Sequence, residues 1–182
     1  MNLIGEIILL AVILWFWAEK PKGNYPVFSL LFGWILGRIL ELYGEPFFQT
    51  WYYAYSRIIL IILIWGWAWS HAERRFLGWF LATLTLAIGE LFIVNEPGVL
   101  PSEHLVIYGV AFALAWLSTS SYWETVAACT GGVLSTLIFT PYFYGGLINH
   151  GELPDPFLWN FMIVCLTGLG IVKSLTLKIK AR

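Results

Sequence analysis

Five ionisable residues interrupt stretches that are otherwise continuously apolar: Glu6, Arg38, Glu41, Arg57 and Glu90. At the centre of a lipid-embedded helix such a group costs roughly 2.5–3.5 kcal/mol on insertion scales, so each needs a partner or a task. Arg38 and Glu41 are three positions apart, which places them on one helical face and within reach of each other. Glu90 continues a small and polar stripe through Thr83 and Ala87, suited to a helix interior. Glu6 and Glu90 have no base close in sequence, so Arg38 or Arg57 on a neighbouring helix is the natural counter-ion. Two kinds of chemistry fit. One is an outward-facing polar site for a small solute, an ion or a proton, with Glu90 as its strongest single candidate. The other is a set of ionic ties between helices, their long side chains snorkelling to nearby headgroups.

The remaining reactive side chains point to no reaction. His71, His104 and His150 fall near the ends of apolar stretches or between them, with no HxxxH or HxxE spacing, so no metal site is expected. Cys129 and Cys165 lie in mid-stretch and read as small apolar residues. There is no Ser–His or paired-Asp arrangement and no glycine-rich phosphate loop. The expectation is a protein that is not an enzyme and carries no cofactor. A retinal photoreceptor would need a Schiff-base lysine within the last helix, and Lys173 lies close to that helix's end.

The elements that must hold these charges follow from composition. The 182 residues are 59 % apolar and only 12 % charged, with a mean hydropathy of +0.77. Soluble domains run at about 45–50 % apolar and about 25 % charged, so a water-soluble globule, a disordered chain and a disulfide scaffold are all excluded. A net charge of -1 argues against a nucleic-acid partner. A hydrocarbon core of about 30 Å asks for about 20 helical residues. Seven stretches approach this: 3–18, 26–43, 53–70, 76–94, 104–119, 122–140 and 157–175. They are continuously apolar and do not alternate with period two, which excludes a barrel. A six-helix arrangement is the runner-up. Connections are short, so residues 1–182 are expected to form a single transmembrane helical bundle.

Local punctuation supports these bounds. Ser102 is placed to cap the fifth helix, and Ser121 and Glu124 have capping-box spacing at the start of the sixth. Pro141 is expected to end the sixth helix, leaving no proline inside any span. The loop 44–52, with Phe47, Phe48, Trp51 and Tyr52, should lie in the membrane interface. The first stretch has no basic residues before it and no cleavage site after it, and reads as a retained helix. Gly33 and Gly37 form a GxxxG, and Ala128 with Gly132 forms a small-xxx-small pair; both suit close helix packing.

The basic residues set the orientation. Lys20, Lys22, Arg74, Arg75, Lys173, Lys178, Lys180 and Arg182 share one side of a seven-span chain, while only Arg38 and Arg57 fall toward the other. The positive-inside rule then puts the N-terminus outside and the C-terminus in the cytoplasm. Eight of the eleven acids, including Glu45, Glu96, Glu103, Glu152 and Asp155, lie on or toward the outer side.

From residue 76 to 175 the layout is that of a helix ending in Glu90-Leu91-Phe92, then an acidic Pro-containing turn. A short apolar helix, a small-residue helix through Ala127–Gly132, an aromatic loop and a last helix follow. In this the chain resembles the YphA-like family of small polytopic membrane proteins of endospore-forming bacteria. The resemblance implies a plasma-membrane protein with a link to sporulation, and it transfers no catalytic residues. The reading is thus an all-α integral membrane protein of the bacterial cytoplasmic membrane with a structural or protein-interaction role. Its partners are the lipid bilayer and a membrane protein, whether another chain or a second copy in a homodimer. The alternative is a small-solute binding or transport protein that uses the outer charges.

Overall fold

The computed structural model describes residues 4–19, 25–43, 51–73, 76–95, 97, 102–144 and 151–180. Among them are seven helices: α1 (Ile4–Glu19), α2 (Tyr25–Tyr43), α3 (Tyr55–His71), α4 (Phe76–Asn95), α5 (Glu103–Leu117), α6 (Tyr122–Phe143) and α7 (Pro156–Lys180). Each expected stretch is a helix, and the chain is all-helical apart from one small ladder. Four helices (α2, α4, α6 and α7) are long and apolar enough to cross a membrane. The other three, α1, α3 and α5, have 16, 17 and 15 residues.

Packing is organised around α6, where 50 % of the apolar window is buried, against 17 % for α2. Its small residues explain this position. A methyl on Gly132 would lie 3.2 Å from the Cβ of Ala82, and one on Gly78 would lie 3.2 Å from the Cβ of Ala128, so α4 runs parallel to α6 at close range. Trp67 of α3 meets Trp123 edge-on at 4.5 Å, and Tyr122 donates to the Leu166 carbonyl of α7, so α3 and α7 run antiparallel to α6. Gly33 and Gly37 are buried against α3. The small-residue faces are thus filled by other helices of the same chain. The outward surface is apolar: Phe28, Phe32, Ile35 and Ile39 of α2, with Leu84 and Ile88 of α4, are all exposed.

Helix ends show where local sequence suffices. The Ser121 hydroxyl accepts from the Glu124 N–H, and the Glu124 carboxylate accepts from the Ser121 N–H at 3.3 Å, the capping box read from spacing. Replacing Ser121 by Ala should lower stability by about 1 kcal/mol, read as a lower thermal unfolding midpoint. Ser102 does occupy the N-cap of α5, but in a left-handed conformation (φ 53°), and its side chain makes no cap hydrogen bond. The expectation about Pro141 also needs correcting: it lies within α6, which runs to Phe143. Having no N–H, Pro141 cannot donate to the Leu137 carbonyl, and the helix ends two residues further on. Phe47, Phe48, Glu45, Glu96, His150, Lys20, Lys22, Arg74, Arg75 and Arg182 lie outside the described residues.

No spacing pattern marks the one ladder among the described residues. Strand β1 (Trp51–Tyr53) pairs in parallel with β2 (Gly151–Leu153), placing Tyr52 opposite Glu152. The Ala54 N–H extends it by donating to the Leu153 carbonyl at 2.8 Å. A run of three residues is too short to display period-two alternation, so only its non-local partner reveals it. The ladder ties the segment entering α3 to the segment entering α7, at the end of the helices that holds the five charges' partners.

Candidate functional site

Four of the five predicted residues converge. Glu6 comes from the first turn of α1, Arg38 and Glu41 from the last turns of α2, and Arg57 from the first turn of α3. Arg38 donates to Glu41 at 2.8 Å, the pair expected from spacing. Arg38 also donates, through its other terminal nitrogen, to Glu6. The second oxygen of Glu6 faces Arg57 Nε at 3.4 Å, and Arg57 Nη1 reaches Glu152 of β2 at 2.7 Å. The result is a continuous chain of alternating charge, Glu41–Arg38–Glu6–Arg57–Glu152, drawn from four separate elements.

Burial is uneven along this chain. Arg57 is 1 % exposed and Glu6 3 %, whereas Arg38 is 27 % and Glu152 24 % exposed. Trp34 adds a longer contact from its indole N–H to Glu6 at 3.4 Å, and its ring lies 5.8 Å from the Arg38 guanidinium. Tyr52, Ala54 and Ser56 complete the lining, and no space large enough for a water molecule remains between these groups. Burial, reinforced by the Glu41 and Glu152 carboxylates, raises the Tyr52 phenol above its ordinary pKa. A neutral phenol therefore walls the site.

Glu41 has a second task that its spacing from Arg38 does not reveal. The N-cap residue of α3 is Ala54, which has no side chain able to cap. Glu41 supplies the missing acceptor from α2: its Oε1 accepts from the Ser56 N–H at 2.9 Å and from the Ser56 hydroxyl at 2.7 Å. A carboxylate there also meets the positive end of the α3 dipole. The start of α1 is served the same way, its Gly5 N–H donating to Asn160 Oδ1 of α7 at 2.6 Å. By contrast α7 caps itself, with Asp155 accepting from the Phe157 and Leu158 N–H groups at 2.7 and 2.8 Å.

Glu90 stands apart. It is 5 % exposed near the end of α4, but it pairs with neither arginine. Its hydrogen-bond partner is the Tyr144 hydroxyl, with His104 and Asp155 as the charged or chargeable groups nearby. His104 Nδ1 in turn lies 3.2 Å from the Tyr108 hydroxyl. The expected arginine partner for Glu90 is therefore replaced by a tyrosine, because α4 is separated from α1 and α2 by the intervening helices.

Sequence reading missed Glu152, Ser56, Tyr52 and Trp34. Glu152 lies 95 residues from Arg57, in a loop whose composition resembles any polar connection, so no local signal marks it. The absence of a capping side chain at Ala54 is the one clue that pointed to an acceptor from elsewhere. Among the described residues, no group of three or more His, Cys, Asp or Glu side chains is arranged to hold a metal. No family model, curated protein or solved structure matches this chain.

Proposed function

We propose that this chain is a multi-pass protein of the bacterial cytoplasmic membrane, a seven-span bundle with its N-terminus outside, whose role is structural or protein-interacting. The observation that carries the reading is the closed charge chain. Every member from Glu41 to Glu152 is paired within the protein, and no void remains among them for a water-sized guest. A solute-binding site needs charges that stay open to an incoming ligand, whereas a tie between helices needs them matched and dry. The four long apolar helices, the apolar outward surface and a layout similar to the YphA-like family support the membrane placing.

Two measurements test it. In intact cells, a C-terminal phosphatase that is active only outside the membrane should be silent, and a C-terminal fluorescent protein should be bright. In membranes, carbodiimide labelling of carboxylates should modify Glu152 and spare Glu6 and Glu41. Rapid labelling of Glu6 would replace the static tie with a water-filled, solute-accessible site.

A further inference from the structure

The outward side of α5 is shorter than a bilayer is thick, and we infer that it selects phospholipids with short acyl chains. The inference rests on the seven-span reading above. Both ends of α5 are fixed. Ser102 precedes it in a left-handed conformation, and at its other end the Ser118 N–H closes on the Leu114 carbonyl at 3.0 Å. With Glu103 and His104 opening the helix and the hydroxyl residues 118–121 following it, its apolar length is residues 105–117. At about 1.5 Å per residue that is about 20 Å, against a hydrocarbon core of about 30 Å. The neighbouring apolar windows of α4 and α7, 18 and 19 residues long, reach about 27 Å or more.

Helix α5 nonetheless accompanies its longer neighbour α4. A methyl on Gly78, in the first turn of α4, would lie 2.7 Å from Thr119 Cγ2, and one on Gly89 would press on Ile107. The two helices are therefore antiparallel neighbours, with the end of α5 level with the start of α4. Neither side chains nor tilt can make up the shortfall. No lysine or arginine lies between residues 102 and 121 to snorkel outward, and tilting a short helix only lowers its reach. Nor is the short stretch hidden. Ile107, Ala111 and Ala115 are buried against the bundle, but Val106, Val110, Leu114 and Leu117 form an exposed stripe along the outer face. Trp116, also exposed, puts an indole at headgroup depth one residue before the apolar length ends. The bilayer must thin beside this stripe, and thinning costs least for lipids whose chains are already short.

The test uses the full chain in vesicles of brominated dioleoyl-phosphatidylcholine, which quenches tryptophans that face lipid. Unbrominated dimyristoleoyl- or dierucoyl-phosphatidylcholine, with shorter and longer chains, is mixed in at equal fractions, and the recovered fluorescence ranks their binding. Subtracting the signal of the W116F variant isolates Trp116. At Trp116 the short-chain lipid should be preferred over the long-chain one by roughly threefold, and by less at the tryptophans that W116F retains. The H104L/S120L variant, which lengthens the apolar stretch at both ends, should lose that preference. Equal recovery by the two lipids in the wild type, an equal preference at all tryptophans, or an undiminished preference in H104L/S120L overturns the inference and leaves the membrane reading intact. Quenching of the retained tryptophans but not of Trp116 would assign the face to a second protein chain and also overturn it. Quenching of no tryptophan overturns both.

Discussion

Replacing Arg57 by Leu should destabilise the protein by about 3–5 kcal/mol, and replacing Glu6 by Leu in the same molecule should restore most of that loss. Arg57 is among the largest fully buried side chains, and it holds Glu6 on one side and Glu152 on the other. Its removal leaves Glu6, itself 3 % exposed, facing an apolar side chain with Arg38 as its sole remaining counter-ion. Breaking a buried pair by deleting one partner is costly because the survivor keeps its desolvation penalty without the attraction that offset it. Deleting both partners removes penalty and attraction together. The double variant keeps Arg38 with Glu41, a matched pair, and leaves Glu152 exposed enough to be hydrated. The measurement is the unfolding midpoint in mixed detergent micelles for E6L, R57L and E6L/R57L. Additive losses in the double variant would mean that the two residues do not act on each other, and the charge chain would lose its role as a tie.

How much of this was readable from sequence depends on the range of each interaction. Continuous apolar composition marks all seven helices, because it is a property of each stretch alone. Arg38–Glu41 and the Ser121–Glu124 box are equally legible, since both partners lie within one turn. Sequence could also say that Glu6 needs a base from another helix, and Arg38 and Arg57 both answer. What could not be read is which helix ends lie side by side. Position along the helices groups Glu90 with the two arginines, and it says nothing about position around the helices. Its partner Tyr144 caps the end of α6, the helix that runs parallel to α4. Glu152 reaches Arg57 only because the β1–β2 ladder draws two distant loops together. Ala54, whose methyl side chain cannot cap, follows that ladder at the start of α3, and Glu41 completes the helix from outside. Each of these depends on tertiary geometry that no spacing rule contains.

The Gly37→Ala variant should lose about 3 kcal/mol, at the upper end for a single added methyl in a packed interior. The reason is what the methyl would meet. A Cβ at Gly37 would lie 2.5 Å from the backbone nitrogen of Ser56 and 2.9 Å from the carbonyl carbon of Tyr55, atoms that cannot rotate away. At Gly33, one turn earlier in the same motif, the nearest atoms are side-chain methyls of Leu63 and Ile59, which can shift. Gly33→Ala should therefore cost less. Gly66 and Gly109 have nothing within 4 Å, so alanine there should be neutral or should stabilise by roughly 0.5–1 kcal/mol through helix propensity. Unfolding midpoints of the four alanine variants should rank G66A and G109A highest, G33A next and G37A lowest. The same clash carries a functional consequence for the charge chain. Gly37 lets α2 approach α3 closely enough for Glu41, one turn further on, to accept from the Ser56 N–H. A variant that pushes the two helices apart at Gly37 also takes Glu41 out of reach. Glu41→Gln should then cost much less in the G37A background than in the wild type. Full additivity would show that the glycine and the carboxylate stabilise the α2–α3 contact independently, and that the close approach is not what delivers the cap.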